Sequence, residues 1–99
     1  MADDNKISSL LGFARKAGKL AVGRSAVVTA HKQKKLTLAI LANDATPKAE
    51  RIVANLRGVA TIHYGTKDDL GALLGRDQVG IIGVLDHGFA ASLKRAITS

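Results

Sequence analysis

The chain of 99 residues contains no cysteine, no tryptophan, one proline and only three aromatic residues, two of which resemble core residues. The absence of cysteine excludes a disulfide framework, a zinc knuckle and a thiol nucleophile. So few aromatics argue against base stacking on an aromatic platform, which many single-strand nucleic-acid binders use. With 46% hydrophobic and 23% charged residues the composition is that of a globular protein, and we expect one domain spanning residues 1–99.

Segments that would place the chain in or across a membrane are also missing. No apolar run approaches the ~18 residues that a membrane span requires. The N-terminus begins with Asp3 and Asp4, and it lacks the basic and apolar regions of a secretory signal. We therefore expect a cytoplasmic protein with no membrane partner.

Acidic residues are absent from one long stretch of the chain, between Leu11 and Lys35. Seven cations lie there: Arg15, Lys16, Lys19, Arg24, Lys32, Lys34 and Lys35. The rest of the chain holds eight cations and eight acids, so this stretch carries the whole net charge of +7. Such a local excess of positive charge favours an anionic partner such as nucleic acid or an acidic membrane.

Helical and strand patterns alternate along the sequence. Apolar runs predict strands over 19–22, 36–42, 59–64 and 79–85. The first helix has Asp4 or Asn5 as its predicted N-cap and stops at Gly18, and the second runs from Gly23 to Gln33. These elements predict an α/β fold, a three-layer α/β/α sandwich with a small, mixed sheet of about four strands.

The later helices have clear start signals. Pro47 is typical of a first helical residue, and Gly58 ends that helix. Thr66 followed by Asp69 predicts a capping box, and Gly75 closes that helix. A final amphipathic helix presents apolar residues from Phe89 to Ile97.

Catalytic and cofactor signatures are lacking. His31, His63 and His87 have neither helical i, i+4 spacing nor a metal-binding signature around them. Asp68 and Asp69 are explained as first-turn acids that complement a helix dipole. The glycine-rich dinucleotide fingerprint and the P-loop are both missing, so we expect no cofactor, no metal site and no enzymatic activity.

The basic stretch includes a helix that is suited to phosphate binding. On a helical wheel Arg24, Val28, His31 and Lys35 fall along one stripe, with Lys32 beside it. The start of that helix, at residues 23–25, offers unpaired backbone N–H groups and the positive end of the helix dipole. Together these features predict recognition of a nucleic-acid backbone by charge and shape.

One run of this sequence, RKAGKLAVGRSAVVTAHKQKKLTLAILANDATPK, resembles the first half of the kink-turn RNA-binding ribosomal proteins, L-seven-Ae and L-thirty-e. In that superfamily a basic, glycine-containing loop and helix precede an apolar strand, an Asp and a Pro. The segments SSLLGFARKAGKLAVG and VGIIGVLDHGFAASL are similar to its small bacterial branch, the YlxQ-type proteins. The resemblance extends from Ile7 to Ile97 and implies an α/β/α sandwich that binds structured RNA.

The resemblance also implies site residues. Gly23 matches the glycine that lets RNA approach closely, while Ser25, Ala26 and Thr29 stand where the family has its Asn, Glu and Lys readers of sheared G·A pairs. Two further regions match those that hold a flipped-out nucleotide. They are the loop 75–80, with Arg76 and Gln78, and the start of the middle helix, with Thr46 and Glu50.

We therefore expect a non-enzymatic, monomeric RNA-binding protein whose partner is ribosomal or other structured RNA, with the ribosome as a candidate partner. The predicted RNA-contacting residues are Lys16, Gly18, Lys19, Gly23, Arg24, Ser25, Val28, Thr29, Lys32, Lys35, Thr46, Arg76 and Gln78. The alternative is a protein-interaction module that keeps the fold but has lost its RNA readers, since Ala26 cannot hydrogen-bond through its side chain and Thr29 brings no charge. A small-molecule enzyme ranks third.

Overall fold

Helices and strands alternate through residues 3–98, the part of the chain that the computed structural model describes. The elements are α1 (Asp4–Lys16), β1 (Leu20–Val22), α2 (Arg24–Lys32), β2 (Leu38–Leu41), α3 (Pro47–Ala54), β3 (Ala60–His63), α4 (Lys67–Leu73), β4 (Ile81–Val84) and α5 (His87–Thr98). This order confirms the predicted α/β class.

The four strands form one mixed sheet in the order β1-β4-β2-β3. β4 runs antiparallel to both β1 and β2, and β2 runs parallel to β3. Because Leu41 is paired with both Ile81 and His63, the ends of β2 and β3 meet the start of β4. We call this the upper edge of the sheet, which also holds the end of β1, and we call the opposite edge, where β4 ends, the lower edge.

Alternation along the strands fills two hydrophobic cores, one on each face of the sheet. Leu38 and Ile40 of β2 point to the core that α1, α4 and α5 cover. Ala39 and Leu41 point to the core that α2 and α3 cover. Helices thus pack on both faces, which confirms the predicted three-layer α/β/α sandwich.

The predicted helix starts are confirmed for α3 and α4, and the predicted start of α1 is wrong. Thr46 caps α3 ahead of Pro47, and the capping box between Thr66 and Asp69 is present at α4. In α1 the N-cap is Asp3, whose Oδ1 accepts a 3.1 Å hydrogen bond from the Lys6 N–H. Neither Asp4 nor Asn5 is the cap, because both already lie within the helix.

The observed strands are shorter than the predicted apolar runs. Leu36 and Ala42, at the ends of the run 36–42, are buried in the two cores but lie outside β2. An apolar run therefore marks burial, and only its central part joins the sheet. Among the aromatics, Tyr64 and Phe89 pack against the core, whereas Phe13 is 63% exposed on α1.

Candidate nucleic-acid interface

A groove of about 660 Å³ opens at the upper edge of the sheet. Three parts of the chain form most of its walls: the junction of β1 and α2, the first turns of α3, and the loop between α4 and β4. The lining residues are Val22, Gly23, Arg24, Thr46, Pro47, Lys48, Ala49, Arg51, Lys67, Arg76, Gln78, Val79, Gly80 and Ile81. We call it the upper groove.

Positive charge dominates the upper groove. Five cations from three helices and one loop line it: Arg24, Lys48, Arg51, Lys67 and Arg76. None of the described residues that line it is acidic. Two carboxylates nearby are already engaged in hydrogen bonds. Asp44 accepts from the backbone N–H of Lys67 over 2.8 Å, and Asp68 accepts from the side chain of Gln78. The groove can therefore bind an anion by charge.

Gly23 gives the groove an open helix N-terminus. Its backbone has φ 93° and ψ 168°, a conformation that is nearly restricted to glycine. Its N–H donates to the carbonyl of Ile81 over 3.1 Å, and no side chain caps the helix. The N–H groups of residues 24–26 consequently lack intrahelical partners and can donate to a phosphate or a base.

The upper groove continues into a cleft between α2 and α3. This α2–α3 cleft is lined near the groove by Arg24, Ser25, Val28, Thr29, Lys48, Arg51 and Ile52. Farther along, His31, Lys32, Asn55 and Leu56 join its walls. His31 is held there by a 3.1 Å hydrogen bond between its Nε2 and the carbonyl of Arg57.

The structure brings nine of the thirteen predicted residues together along this continuous surface: Gly23, Arg24, Ser25, Val28, Thr29, Lys32, Thr46, Arg76 and Gln78. All nine residues are exposed or half-buried. Thr46 is partly committed to the fold, since its hydroxyl oxygen accepts from the Ala49 N–H over 3.3 Å.

The other four predicted residues lie elsewhere. Gly18, Lys19 and Lys35 border a separate cavity at the lower edge, and Lys16 is exposed at the end of α1. The predicted helical stripe that included Lys35 is therefore wrong at that residue. Helix α2 ends at Lys32, and the chain then turns at Lys34, which has φ 60°. Lys35 also borders a shallow depression beside β1 that reaches Ser25 and Thr29.

Three cations of the upper groove were not predicted: Lys48, Arg51 and Lys67. Lys48 and Arg51 are three residues apart in α3, which places them on neighbouring positions of one helix face. That spacing is a usable signal only when the helix is known to begin at the same sheet edge as α2. Glu50, which the resemblance matched to the family's site, is exposed but does not line the groove.

Two other site classes receive no support within residues 3–98. The described helices include none that is both long and apolar enough to cross a membrane. His, Asp and Glu side chains form no group of three or more that could hold a metal ion in this part of the chain.

Comparison with known proteins identifies the family. Residues 5–94 match the model of the ribosomal protein L7Ae/L30e/S12e/Gadd45 family. A Bacillus halodurans protein of unknown function is 32% identical, with a TM-score of 0.86 over 95% of this chain and 98% of the other. The Giardia lamblia 15.5kD RNA binding protein shares the fold at 17% identity, with a TM-score of 0.72 over 94% of this chain and 82% of the other. A search of curated proteins finds no match. The family match spans most of the sequence, and the chain therefore belongs to the ribosomal protein L7Ae/L30e/S12e/Gadd45 family.

Proposed function

We propose that this chain is an RNA-binding protein that holds structured RNA in the upper groove and the α2–α3 cleft. The observation that carries the proposal is the set of five cations that line the upper groove, without an acid among its described lining residues, beside the uncapped start of α2. Membership of a ribosomal-protein family and a shared fold with an RNA-binding protein support it.

The groove supplies three kinds of contact to RNA. Arg24, Lys48 and Arg51 neutralise phosphates where the groove passes into the cleft. The free N–H groups at the start of α2 donate to an RNA oxygen, and Gly23 lets the backbone approach because a Cβ there would project into open space. Gln78 contributes a polar side chain from the opposite wall.

The residues at the reader positions shape the specificity. Ser25 and Thr29 are exposed in the cleft and offer hydroxyl groups, and Ala26 is half-buried and offers none. We therefore propose recognition of a bent or kink-turn-like RNA mainly through its backbone and shape, with ribosomal RNA as the expected target. On this proposal the chain acts as one non-catalytic, monomeric, cytoplasmic domain spanning residues 1–99 in the translation machinery.

Salt-dependent RNA binding tests the proposal. The probe is an RNA hairpin with an internal loop of tandem G·A pairs, titrated with the protein in a filter-binding assay at several salt concentrations. Each phosphate contact contributes about −0.7 to −0.9 to the log–log salt slope, so the five cations predict a slope of roughly −4. Replacing Arg24 and Arg51 with Glu should weaken binding by more than about tenfold.

The matched control changes the same amount of charge far from the groove. Lys94→Glu with Arg95→Glu alters two exposed cations of α5, and its affinity should stay within about threefold of the unmodified protein. Absence of RNA binding, or a slope near zero, would refute the proposal. Equal losses in both double variants would refute the assignment of the groove.

A second candidate function is a protein-interaction module, and the half-buried Ala26 at a reader position favours it. Such a module would keep the fold of the family without binding RNA through the groove. Capture of one protein, reproducibly and after nuclease treatment, by the unmodified chain but not by the Arg24→Glu, Arg51→Glu variant would favour this function over RNA binding.

A further inference from the structure

Three lysines and a histidine lie together at the lower edge of the sheet. Lys19, Lys34, Lys35 and His87 border a cavity of about 530 Å³ together with Gly18, Leu36, Thr37 and Leu85. We call Lys19, Lys34, Lys35 and His87 the lower patch. All four side chains are exposed, and none of the described residues that line the cavity is acidic.

Two helix ends build the lower patch in the same way. After α1 the N–H of Gly18 bonds to the Arg15 carbonyl over 3.1 Å, and the N–H of Lys19 bonds to the Ala14 carbonyl over 2.8 Å. These are the two hydrogen bonds of a Schellman motif, which reverses the chain through a left-handed residue. The motif places Lys19 just beyond the helix, at the rim of the cavity.

The end of α2 repeats the motif with a different residue at the left-handed position. The N–H of Lys34 bonds to the His31 carbonyl, and the N–H of Lys35 bonds to the Ala30 carbonyl, each over 3.0 Å. Lys34 has φ 60° and is the one non-glycine residue with positive φ in the described part of the chain. α1 uses Gly18 at the equivalent position.

A lysine at this position works against backbone preference, because glycine adopts the left-handed conformation without strain. The backbone conformation therefore does not explain why residue 34 is a lysine, and we look for the explanation in its charged side chain. Lysines near helix C-termini do complement the helix dipole, but Lys32 already lies in the last turn of α2 and serves that purpose. The extra cation in a strained turn points to a ligand with negative charge.

Asp86 lies between two residues that line the lower cavity, Leu85 and His87, and its carboxylate is engaged in the fold. Oδ2 of Asp86 accepts a 2.9 Å hydrogen bond from the Phe89 N–H at the start of α5. Asp86 is half-buried and is absent from the described residues that line the cavity. The three lysines therefore remain available to an anion from outside.

The lower patch and the upper groove lie at opposite ends of the sheet. β4 begins beside the groove at Ile81 and ends at Val84, and Leu85 lines the lower cavity. At about 3.3 Å per residue, Ile81 in the groove and Leu85 in the lower cavity are ~13 Å apart along the strand direction, farther than one phosphate can reach. One phosphate therefore cannot contact the upper groove and the lower patch at the same time.

We propose that the lower patch is a second RNA surface, which binds the phosphodiester backbone of a segment other than the one in the upper groove. The protein then bridges two RNA segments. This inference rests on the proposed function, and it adds a second contact that is independent of base identity. The three lysines neutralise phosphates in either strand of a regular duplex, since none of the described residues that line the cavity is a Phe, Tyr or Trp that could hold an unpaired base.

The test uses a plain, blunt-ended RNA duplex as the probe for the lower patch and the internal-loop hairpin as the probe for the upper groove. The full chain is fixed to a surface, and binding of each labelled RNA is measured separately. A patch variant carries Lys19→Gln, Lys34→Gly and Lys35→Gln, where Lys34→Gly also relieves the strained turn. A control variant removes three exposed cations outside both sites: Lys6→Gln, Lys94→Gln and Arg95→Gln.

We expect the patch variant to bind the plain duplex about tenfold more weakly than the control variant, with a salt slope that is less negative by about 2. Its affinity for the hairpin should change by less than about threefold, because the upper groove is intact. Saturation of the hairpin site should leave the unmodified chain able to capture the duplex. The unfolding temperature of the patch variant should not fall, which excludes misfolding as the cause.

Three further results separate this inference from the proposed function. Equal duplex binding by patch and control variants, with hairpin binding unchanged, would overturn the second surface and leave the groove proposal intact. Loss of hairpin binding in the Arg24→Glu, Arg51→Glu variant with retained duplex binding supports both sites. The unmodified chain could also bind the duplex through the lower patch and fail to bind the hairpin. That result would overturn RNA binding in the upper groove and the bridging of two segments, and it would support RNA binding at the lower patch.

Discussion

Nε2 of Gln78 donates a 2.9 Å hydrogen bond to Oδ1 of Asp68. The bond uses the amide nitrogen and leaves Oε1 of Gln78 as a free acceptor in the upper groove. Asp68 itself lies in the first turn of α4, where its charge complements the helix dipole. A carboxylate beside a basic groove thus orients a side chain that lines the groove.

We predict that Gln78→Glu weakens binding of the internal-loop hairpin by about fivefold. The new carboxylate would face that of Asp68 without a proton between them, and it would also repel phosphates in the groove. Because both side chains are exposed, the free energy of unfolding should fall by less than about 1 kcal/mol. Filter binding and thermal unfolding measure the two effects.

The control for this prediction is Lys94→Gln, which changes the net charge by the same amount on α5. Its effect on hairpin affinity should be less than about twofold. If both variants weaken binding equally, net charge alone explains the result and Gln78 has no local role.

The loop that carries Arg76 and Gln78 can lie close to α4 because Gly71 has no side chain. A Cβ on Gly71 would lie 2.5 Å from the carbonyl oxygen of Asp77 and 2.8 Å from that of Arg76. These are backbone atoms, so the loop itself would have to move. We predict that Gly71→Ala lowers the free energy of unfolding by about 1–3 kcal/mol and weakens hairpin binding.

Ala72→Ser is the matched control, since Ala72 is the next residue of α4 and is exposed. Chemical denaturation should show a loss of less than about 1 kcal/mol for this variant. Unchanged stability and unchanged affinity in Gly71→Ala would show that the loop adapts freely and that its position does not control the groove.

The fold was predictable from the sequence because each element carries a local signal. The apolar run at 36–42 marks a strand with both faces buried, and the pair Thr66 and Asp69 marks a helix start. The signals were weaker at element ends. Asp3, Asp4 and Asn5 are all good N-cap residues, and only the tertiary structure selects Asp3.

The site was predictable only in part, because sequence distance does not show which sheet edge a residue reaches. The acid-free stretch looks continuous, yet α2 crosses from the upper edge at Arg24 to the lower edge beyond Lys32. Five of its seven cations therefore divide between two surfaces, and Arg15 and Lys16 line neither. Lys48 and Lys67 join the upper groove from other helices, which only the strand order β1-β4-β2-β3 makes possible.

Tyr64 connects α1 to the end of β3, and it makes the free energy of unfolding depend on pH in the alkaline range. Burial, followed by the hydrogen bond and charge of Asp4 and the charge of Asp69, raises the pKa of Tyr64 from 10.0 to about 12. The phenol donates to Oδ1 of Asp4 over 2.5 Å. A pKa that is higher in the folded state means that the stabilisation is complete below pH 10 and is lost as the pH rises from 10 to about 12.

We predict that Tyr64→Phe removes this part of the pH dependence. Solvent screening at a half-buried site limits the difference between the two proteins to about 1 kcal/mol. Unfolding in denaturant at pH 9 and pH 11.5 measures it, and the ultraviolet absorbance of the phenolate reports the pKa directly. Parallel stability curves for the two proteins across this window would contradict the assignment.

A substitution at Gly23 would strain the backbone without causing a steric clash. At φ 93° and ψ 168° a side chain is strained, although a Cβ would meet nothing within 4 Å. We predict that Gly23→Ala lowers the free energy of unfolding by about 1–3 kcal/mol and weakens hairpin binding at least tenfold, because the first turn of α2 shifts.

Gly12→Ala is the control. Gly12 lies within α1, and a Cβ there is equally free of contacts, so alanine should raise the stability by about 0.5–1 kcal/mol and leave RNA binding unchanged. If Gly23→Ala leaves stability and affinity unchanged, then neither the backbone conformation of Gly23 nor a close approach of RNA to it contributes to folding or binding.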